Sequence, residues 1–159
     1  MTWSVALEEN AASILGRLLE TACALFHGCS AASVTWVERG RPRTALFTNR
    51  SALDIDRVQY ESGYGPCLRA LREGRTVSAD FRAPTWPQVS ATALRAGVDQ
   101  VLSIPMSAGG VTLGALNIYG PAQDGPTFEA DEVVAALLAV QATVAMATAA
   151  ALAVIAPPG

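Results

Sequence analysis

The sequence is poor in charge and contains no lysine. Charged residues make up 16% of the 159 residues, all eleven basic residues are arginine, and the formal net charge is -3. The arginines are scattered, and the sequence has neither a basic block nor a glycine-rich phosphate loop. Nucleic-acid-binding domains usually carry a basic patch or stripe. We therefore expect no nucleic-acid partner for this chain by itself.

Histidine and cysteine are scarce as well. His27 is the one histidine, and the cysteines are Cys23, Cys29 and Cys67. A single histidine disfavours a Ser-His-Asp triad and a haem ligand, and three cysteines do not form a disulfide scaffold. Cys23, His27 and Cys29 are close in sequence, but a structural zinc site normally takes four such ligands. We predict no metal site and no catalytic residue, and the sequence leaves the cofactor unknown.

Signals for export or membrane insertion are weak. The first twenty residues carry Glu8, Glu9, Arg17 and Glu20 without the basic start of a signal peptide, which predicts a reducing, cytoplasmic location. No charged residue follows Glu132, and an apolar run of that length raises the question of a membrane span. Because alanine dominates the run and no arginine follows it, we favour a buried bundle helix and predict no membrane partner.

The sequence is rich in apolar residues, which make up 51% of it, and its length suits one domain. Apolar spacings of three and four predict helices over residues 4–27, 53–61, 67–73, 88–96 and 127–155. Alternation predicts strands over residues 33–38, 43–48, 76–79, 101–106 and 111–119. We therefore predict a single domain over residues 1–159. Its N-terminal helix lies within 1–28, its sheet and helical insert within 31–120, and its C-terminal helix within 127–155.

The stretch from Val101 to Gly120 is the most informative part of the chain. Two β-branched runs flank a Ser-Ala-Gly-Gly turn, which predicts a β-hairpin. The second run is apolar on both faces, as expected for a central strand that is covered above and below. Asn117 interrupts it, and a buried amide needs hydrogen-bond partners. Pro105 lacks a donor and must lie at an edge, at a bulge or beside a pocket.

These residues also carry a family resemblance. Ser103-Ile-Pro-Met followed by Leu113-Gly-Ala-Leu-Asn-Ile-Tyr resembles the last two sheet strands of a GAF domain. Gln59-Tyr-Glu-Ser-Gly-Tyr-Gly-Pro-Cys-Leu is similar to the loop-to-helix segment of GAF domains in bacterial GAF–ANTAR regulators. The resemblance implies an α+β fold with a GAF-like antiparallel sheet of five or six strands in the order 2-1-5-4-3. N- and C-terminal helices then lie on one face, and a helical insert encloses a pocket on the other.

In the regulators that the chain resembles, an RNA-binding ANTAR domain follows the GAF domain. This sequence reaches Gly159 without such a domain. The resemblance therefore implies either a stand-alone GAF protein that acts through a protein partner or a chain whose output domain is missing.

The resemblance places the pocket beneath residues 59–71, with Trp36 and Asn117 under that segment. The candidate ligand-binding residues are the aromatic, amide, thiol and hydroxyl side chains near it: Trp36, Gln59, Tyr60, Tyr64, Cys67, Trp86, Ser103 and Asn117. Any of the aromatic residues can instead fill the core. Cys67 follows Gly-Pro at a helix start. One interpretation is a reactive thiol whose pKa the helix dipole lowers, and the other is a small buried residue that anchors the helix. Asp54 and Asp56 are interpreted as solvated or capping residues.

The favoured interpretation is a non-enzymatic sensory and regulatory module with a role in transcription regulation. It binds an unidentified small molecule and signals through a homodimer of its first and last helices. One alternative is a thiol-dependent redox sensor or reductase that uses Cys67. Some GAF domains reduce free methionine sulfoxide with cysteines in and after the insert, but Cys23 and Cys29 are not placed there. The other alternative is a pure dimerisation module without a ligand.

Overall fold

The computed structural model describes residues 3–121 and 132–155, with the side chains of residues 9–121 and 132–151. In chain order its elements are α1 Trp3–Leu25, β1 Ala31–Glu38, β2 Arg41–Phe47, α2 Arg50–Ser62, α3 Pro66–Glu73, β3 Val77–Asp80, α4 Pro87–Arg95, β4 Gln100–Ala108, β5 Val111–Gly120 and α5 Glu132–Ile155. The predicted order of helices and strands is confirmed. The predicted start of the last helix at residue 127 lies outside the described residues.

Helix α2 begins three residues earlier than its apolar pattern predicts. Asn49 caps it, because the Asn49 side chain accepts a hydrogen bond from the backbone N–H of Ala52 at 3.4 Å. Gly63 ends the helix in the left-handed conformation, with φ of 76°, which glycine adopts without a Cβ penalty. Helix α2 therefore extends beyond the predicted 53–61 at both ends, to Arg50 and to Ser62.

The strands form one antiparallel sheet in the order β2-β1-β5-β4-β3, which confirms the predicted fold class and strand order. Strand β5 is central. Its Asn117 lies opposite Ser33 on β1 and opposite Ser103 on β4. These three polar residues therefore form one row across the middle of the sheet.

Pro105 occupies a position on β4 that tolerates its missing donor. It lies opposite Ala115 on β5, and the pairing between β3 and β4 has already stopped at Val77 and Ser103. A register shift follows directly between Met106 and Ser107. The expected edge and bulge are thus both present next to the proline.

Helices α1 and α5 pack against each other and cover one face of the sheet, here called the terminal-helix face. Alternate residues of the central strands point into this layer, because successive side chains of a strand point to opposite faces. Its buried members are Leu15, Leu19, Ala22, Phe26, Ala32, Val34, Leu102, Ile104, Met106, Leu116, Ile118, Ala135, Leu138, Ala139 and Ala142.

Helices α2, α3 and α4 cover the other face of the sheet, here called the insert face. Helix α2 contacts β1 and β2, α3 contacts β3, β4 and β5, and α4 packs on α2. Apolar residues fill one part of this layer, namely Ala31, Ala52, Ile55, Phe81, Val89, Ala93, Val98, Val101 and Tyr119. The part under α2 and α3 is polar and is described below.

Helix α5 is long and apolar enough, by composition, to cross a membrane over Glu132–Ala151. In this fold its small residues Ala135, Ala139 and Ala142 are buried against α1 and the sheet. Its other side is exposed, including Val133 and Leu137 at 74% and 61%. Helix α5 therefore packs along one side only, on α1 and the sheet, and both its burial in a helix bundle and the cytoplasmic location stay predictions.

Gly114 lies on β5 directly against the backbone of β1, where there is no room for a side chain. A Cβ at Gly114 would lie 2.2 Å from the carbonyl oxygen of Thr35, whereas a Cβ at Gly16 in α1 would meet only Leu46 Cδ2, at 3.8 Å. We expect Gly114→Ala to lower the free energy of unfolding by about 1–3 kcal/mol, because the backbone must move. Gly16→Ala should raise it by about 0.5–1 kcal/mol. Urea unfolding of both variants checks this, and equal stabilities would contradict the packing at Gly114.

Candidate ligand site

The turn between α2 and α3 brings the two helices down onto the insert face. The side chain of Gln59 on α2 accepts a hydrogen bond from the backbone N–H of Cys67, at 2.9 Å, in the first turn of α3. Gly65 makes room for this contact, since a Cβ there would lie 2.4 Å from Gln59 Oε1 and its φ is 150°. Pro66 then starts α3 at a position where its missing donor costs nothing. The Gly-Tyr-Gly-Pro sequence is therefore a structural link between α2 and α3.

Beneath these helices lies a group of polar side chains, here called the polar cluster. They come from four strands and two helices: Ser33, Thr35, Thr44, Asp56, Gln59, Tyr60, Cys67, Ser103, Asn117 and Tyr119. All of them except Thr44 and Tyr60 are fully buried. Buried polar groups require hydrogen-bond partners, and the cluster supplies most of them internally.

Asp56 is the centre of the cluster. Its Oδ1 accepts a 2.5 Å hydrogen bond from the Tyr119 hydroxyl, and its Oδ2 accepts a 2.8 Å bond from Thr44 Oγ1. Gln59 Nε2 donates to the Tyr119 oxygen at 3.3 Å. These bonds join α2 to β2 on one side and to β5 on the other.

A second set of bonds runs along β1. Thr35 Oγ1 lies 2.7 Å from the Tyr60 hydroxyl, which lies 3.0 Å from Thr44 Oγ1. Asn117 Nδ2 donates to Ser33 Oγ at 3.2 Å and to Thr35 Oγ1 at 3.1 Å. The amide that interrupts β5 therefore has two partners on the neighbouring strand.

Burial raises the pKa of Asp56 to about 6, and hydrogen bonds from Tyr119, Ser33 and Thr44 offset only part of that rise. Burial and the nearby Asp56 charge also raise the pKa of Tyr60 and of Tyr119. The interpretation of Asp56 as a solvated or capping residue is wrong. Asp54, two residues earlier, has a side chain that is 46% exposed and pairs with Arg50 at 2.9 Å.

Cys67 is fully buried, and burial, followed by the Asp56 charge, raises the pKa of its thiol to about 12. The thiol donates to Thr35 Oγ1 at 3.4 Å. This direction is opposite to the lowering expected at a helix start, because loss of water outweighs the helix dipole at a buried thiol. The interpretation of Cys67 as a small residue that anchors α3 fits this geometry.

Two side-chain atoms in the row formed by Ser33, Asn117 and Ser103 lack a hydrogen-bond partner. Counting every residue that the structure describes, neither Asn117 Oδ1 nor Ser103 Oγ has a hydrogen-bond partner, although both are buried. They lie on paired positions of β5 and β4, the strands that α3 covers. An unpaired buried polar atom costs about 1–3 kcal/mol. Among the described residues, the polar cluster therefore contains one acceptor and one hydroxyl without a hydrogen-bond partner.

Five of the eight predicted ligand-binding residues come together in the polar cluster: Gln59, Tyr60, Cys67, Ser103 and Asn117. The placement of Trp36 beneath the insert is wrong. Ser33 and Thr35 point to the insert face, so the alternation of β1 turns Trp36 to the terminal-helix face, where it packs half-buried.

The two remaining candidates, Trp86 and Tyr64, lie outside the polar cluster. Trp86 is half-buried against the apolar part of the insert face, and Tyr64 is half-buried in the α2–α3 turn, where its carbonyl accepts from Ser62 Oγ at 3.1 Å. Their role in ligand binding stays a prediction.

The sequence interpretation missed half of the cluster: Ser33, Thr35, Thr44, Asp56 and Tyr119. One signal could have found Asp56. Ala52, Ile55, Asp56 and Gln59 are the buried residues of α2, and their spacing places them on one helix face. An acidic residue within such a stripe points to a buried carboxylate.

The raised pKa of Asp56 makes stability depend on pH. Its folded pKa of about 6 exceeds the ~3.9 of an unfolded aspartate, so the folded protein holds this proton more tightly. The stability that Asp56 contributes is therefore complete below about pH 4 and is lost as the pH rises through about 6, by about 3 kcal/mol in all. Urea unfolding at several pH values should show this loss in the wild type and in Asp54→Asn, a matched control on α2, but not in Asp56→Asn. Identical pH dependence for wild type and Asp56→Asn would contradict the buried carboxylate.

Comparison with solved structures finds the same fold in proteins of different function. A type II free methionine-R-sulfoxide reductase from Thermoplasma acidophilum has 16% identity and a TM-score of 0.69 over 87% of this chain and 94% of that chain. A GAF domain/HD domain protein from Geobacter sulfurreducens has 16% identity and a TM-score of 0.68, over 92% and 97%. The GAF domain of a two-component sensor histidine kinase from Bacillus halodurans has 14% identity and a TM-score of 0.56, over 81% and 90%.

These neighbours correct one prediction. The expectation that the chain is not an enzyme is contradicted, because free methionine-R-sulfoxide reductases share its fold. At such low identity the likeness shows the fold alone, since one fold hosts many activities.

No curated protein matches this sequence. A family model for the GAF domain, however, matches residues 8–147, which is nearly the whole of the described chain. The sheet order, the insert over one face and the terminal helices on the other agree with that match. The chain belongs to the GAF domain family.

Proposed function

We propose that this GAF domain is a sensory module whose polar cluster binds a small polar molecule. The observation that carries the proposal is the pair of buried, unsatisfied atoms, Asn117 Oδ1 and Ser103 Oγ. A ligand with a hydrogen-bond donor beside a second polar group satisfies both. Hydrogen bonds to Ser33 and Thr35 hold the Asn117 amide in place, and the pairing of β4 with β5 puts Ser103 beside it.

The charge of the cluster narrows the class of ligand. Asp56 is its one carboxylate, and no arginine belongs to the cluster as the described residues define it. An anionic ligand would be repelled by Asp56 and would find no cation to pair with. The proposed ligand is therefore neutral or cationic, and small enough to lie between α3 and the sheet.

The sheet connects this site to the terminal helices. On β5, Asn117 points to the insert face, while its neighbours Leu116 and Ile118 are buried against α1 and α5. A shift of β5 on ligand binding therefore moves the layer that supports both terminal helices. Protein interiors are close-packed and transmit such shifts.

The outer surface of the terminal helices is the proposed signalling surface, here called the output surface. Ile14 on α1 and Leu137, Val140 and Val144 on α5 are 50–61% exposed. An apolar groove of about 400 Å³ lies between the two helices. Exposed apolar surface of this kind marks an interaction site, and a second copy of the chain would cover it in a four-helix bundle with two-fold symmetry.

The resemblance of residues 59–68 to GAF–ANTAR regulators supports a regulatory role, and transcription regulation is the finer form of this proposal. The two alternatives differ from a sensory module in their expected properties. A pure dimerisation module forms the dimer without any bound molecule. A redox sensor or reductase that uses the Cys67 thiol loses its redox response or its reductase activity when Cys67 is replaced.

Ser103→Ala tests whether the unpaired Ser103 hydroxyl belongs to a ligand site. In the free protein, removal of an unpaired buried hydroxyl should leave the melting temperature unchanged or raise it, because no hydrogen bond within the protein is lost. Native mass spectrometry of the purified protein should show a bound small molecule that Ser103→Ala and Asn117→Leu lose. Ser107→Ala, on the exposed part of β4, is the matched control and should retain it. Equal retention by all variants would overturn the site.

Val140→Glu combined with Val144→Glu tests the output surface. Two buried charges at a helix interface are strongly unfavourable, so light scattering should show a dimer for the wild type and a monomer for the variant. Val111→Glu, which is 59% exposed on the β4–β5 hairpin, is the control and should remain dimeric. A monomeric wild type at micromolar concentration would overturn the proposed dimer without affecting the ligand site.

A further inference from the structure

The loop between α1 and β1 brings two cysteines together on the terminal-helix face, outside the polar cluster. Cys23 lies in the last turns of α1 and Cys29 lies just before β1, with Cα atoms 5.0 Å apart and their sulfurs paired as a disulfide. That Cα separation falls within the ordinary range for a disulfide. The odd cysteine, Cys67, lies on the insert face.

The surroundings of Cys29 suit the reduced state as well. Its Sγ lies 3.4 Å from the carbonyl oxygen of Ala31, which can accept the thiol hydrogen once the disulfide is open. Both Cys23 and Cys29 are half-buried, whereas Cys67 is fully buried. A small thiol or disulfide can therefore approach this pair but not Cys67, and access governs thiol–disulfide exchange.

The pair is also tied to the rest of the domain. The backbone N–H of Ser30, next to Cys29, donates to the Tyr119 carbonyl at 2.9 Å. The Ser30 carbonyl accepts from Asn49 Nδ2 at 2.7 Å, and Asn49 is the N-cap of α2. Closing the disulfide thus joins the end of α1 to Cys29, whose neighbour Ser30 is hydrogen-bonded both to β5 and to the N-cap of α2.

We propose that Cys23 and Cys29 form a reversible dithiol–disulfide couple that exchanges with low-molecular-weight disulfides. One cysteine thiolate attacks the small disulfide, which forms a mixed disulfide and releases one small thiol. The second cysteine thiolate attacks the mixed disulfide, which closes the Cys23–Cys29 bond and releases the other small thiol. The protein is oxidised by two electrons, the small disulfide is reduced to two thiols, and the two cysteine protons pass to the released thiolates. Excess small thiol reverses both steps. This inference does not depend on the proposed ligand site.

Titration with glutathione tests the couple on the whole chain. The protein is equilibrated with graded ratios of oxidised to reduced glutathione, alkylated, and mapped by peptide mass spectrometry. We expect Cys23 and Cys29 to lose alkylation together as the oxidised fraction rises and to regain it when reduced glutathione is restored. Cys67 should be alkylated only after denaturation. Closing this short ring should raise the melting temperature by about 5 °C.

Cys23→Ser and Cys29→Ser are the matched controls, because each retains one thiol and cannot close the ring. Each should hold glutathione as a mixed disulfide and lose the redox-dependent shift in melting temperature. The proposal is overturned if both cysteines stay alkylated at every ratio, if the wild type stops at the mixed disulfide, or if its disulfide resists all reduced glutathione. It is equally overturned if either serine variant retains the temperature shift. The wild-type titration decides the question even where a variant fails to fold.

Discussion

A buried carboxylate that has no cationic partner among the described residues is the constraint on which the insert face depends. Asp56 sits under α2 with both oxygens occupied by hydroxyl groups from β5 and β2. A charge in such a place is costly unless hydrogen bonds compensate for lost water. The surrounding Tyr, Thr, Gln and Asn side chains are therefore held in definite positions. The same bonds hold α2 against the sheet, and Gln59 extends that hold to α3.

The central strand β5 links two layers of opposite character. Its side chains alternate between the polar cluster and the apolar core under α1 and α5. Gly114 permits β1 and β5 to approach closely at the end of this contact. The path from the polar cluster to the terminal helices therefore runs through one strand, without passing through a loop. This short path favours a sensory role for the domain and explains why the apolar helix surface belongs to the proposed output.

The GAF fold leaves the chemistry to the residues of the site. Its structural neighbours include both a sensor kinase domain and methionine sulfoxide reductases, so the fold alone cannot choose between binding and catalysis. In this chain the three cysteines are divided between the two faces of the sheet. Cys67 is enclosed in the polar cluster with a raised pKa, while Cys23 and Cys29 meet beside α1. The division separates the proposed redox couple from the proposed ligand site.

The sequence by itself determined the order of helices and strands and the central place of β5, because apolar periodicity and turn residues are local signals. It also indicated that Asn117 is buried and in need of partners. Only the tertiary structure decided which side chains of β1 turn to the insert face. As a result, Thr35 and not Trp36 contacts Asn117. The burial of Asp56 and the meeting of Cys23 with Cys29 were decided there too. Strand register and helix placement decide which residues far apart in sequence become hydrogen-bond partners. The pKa of a buried group follows from its burial and from the charges near it, so it too depends on register and placement.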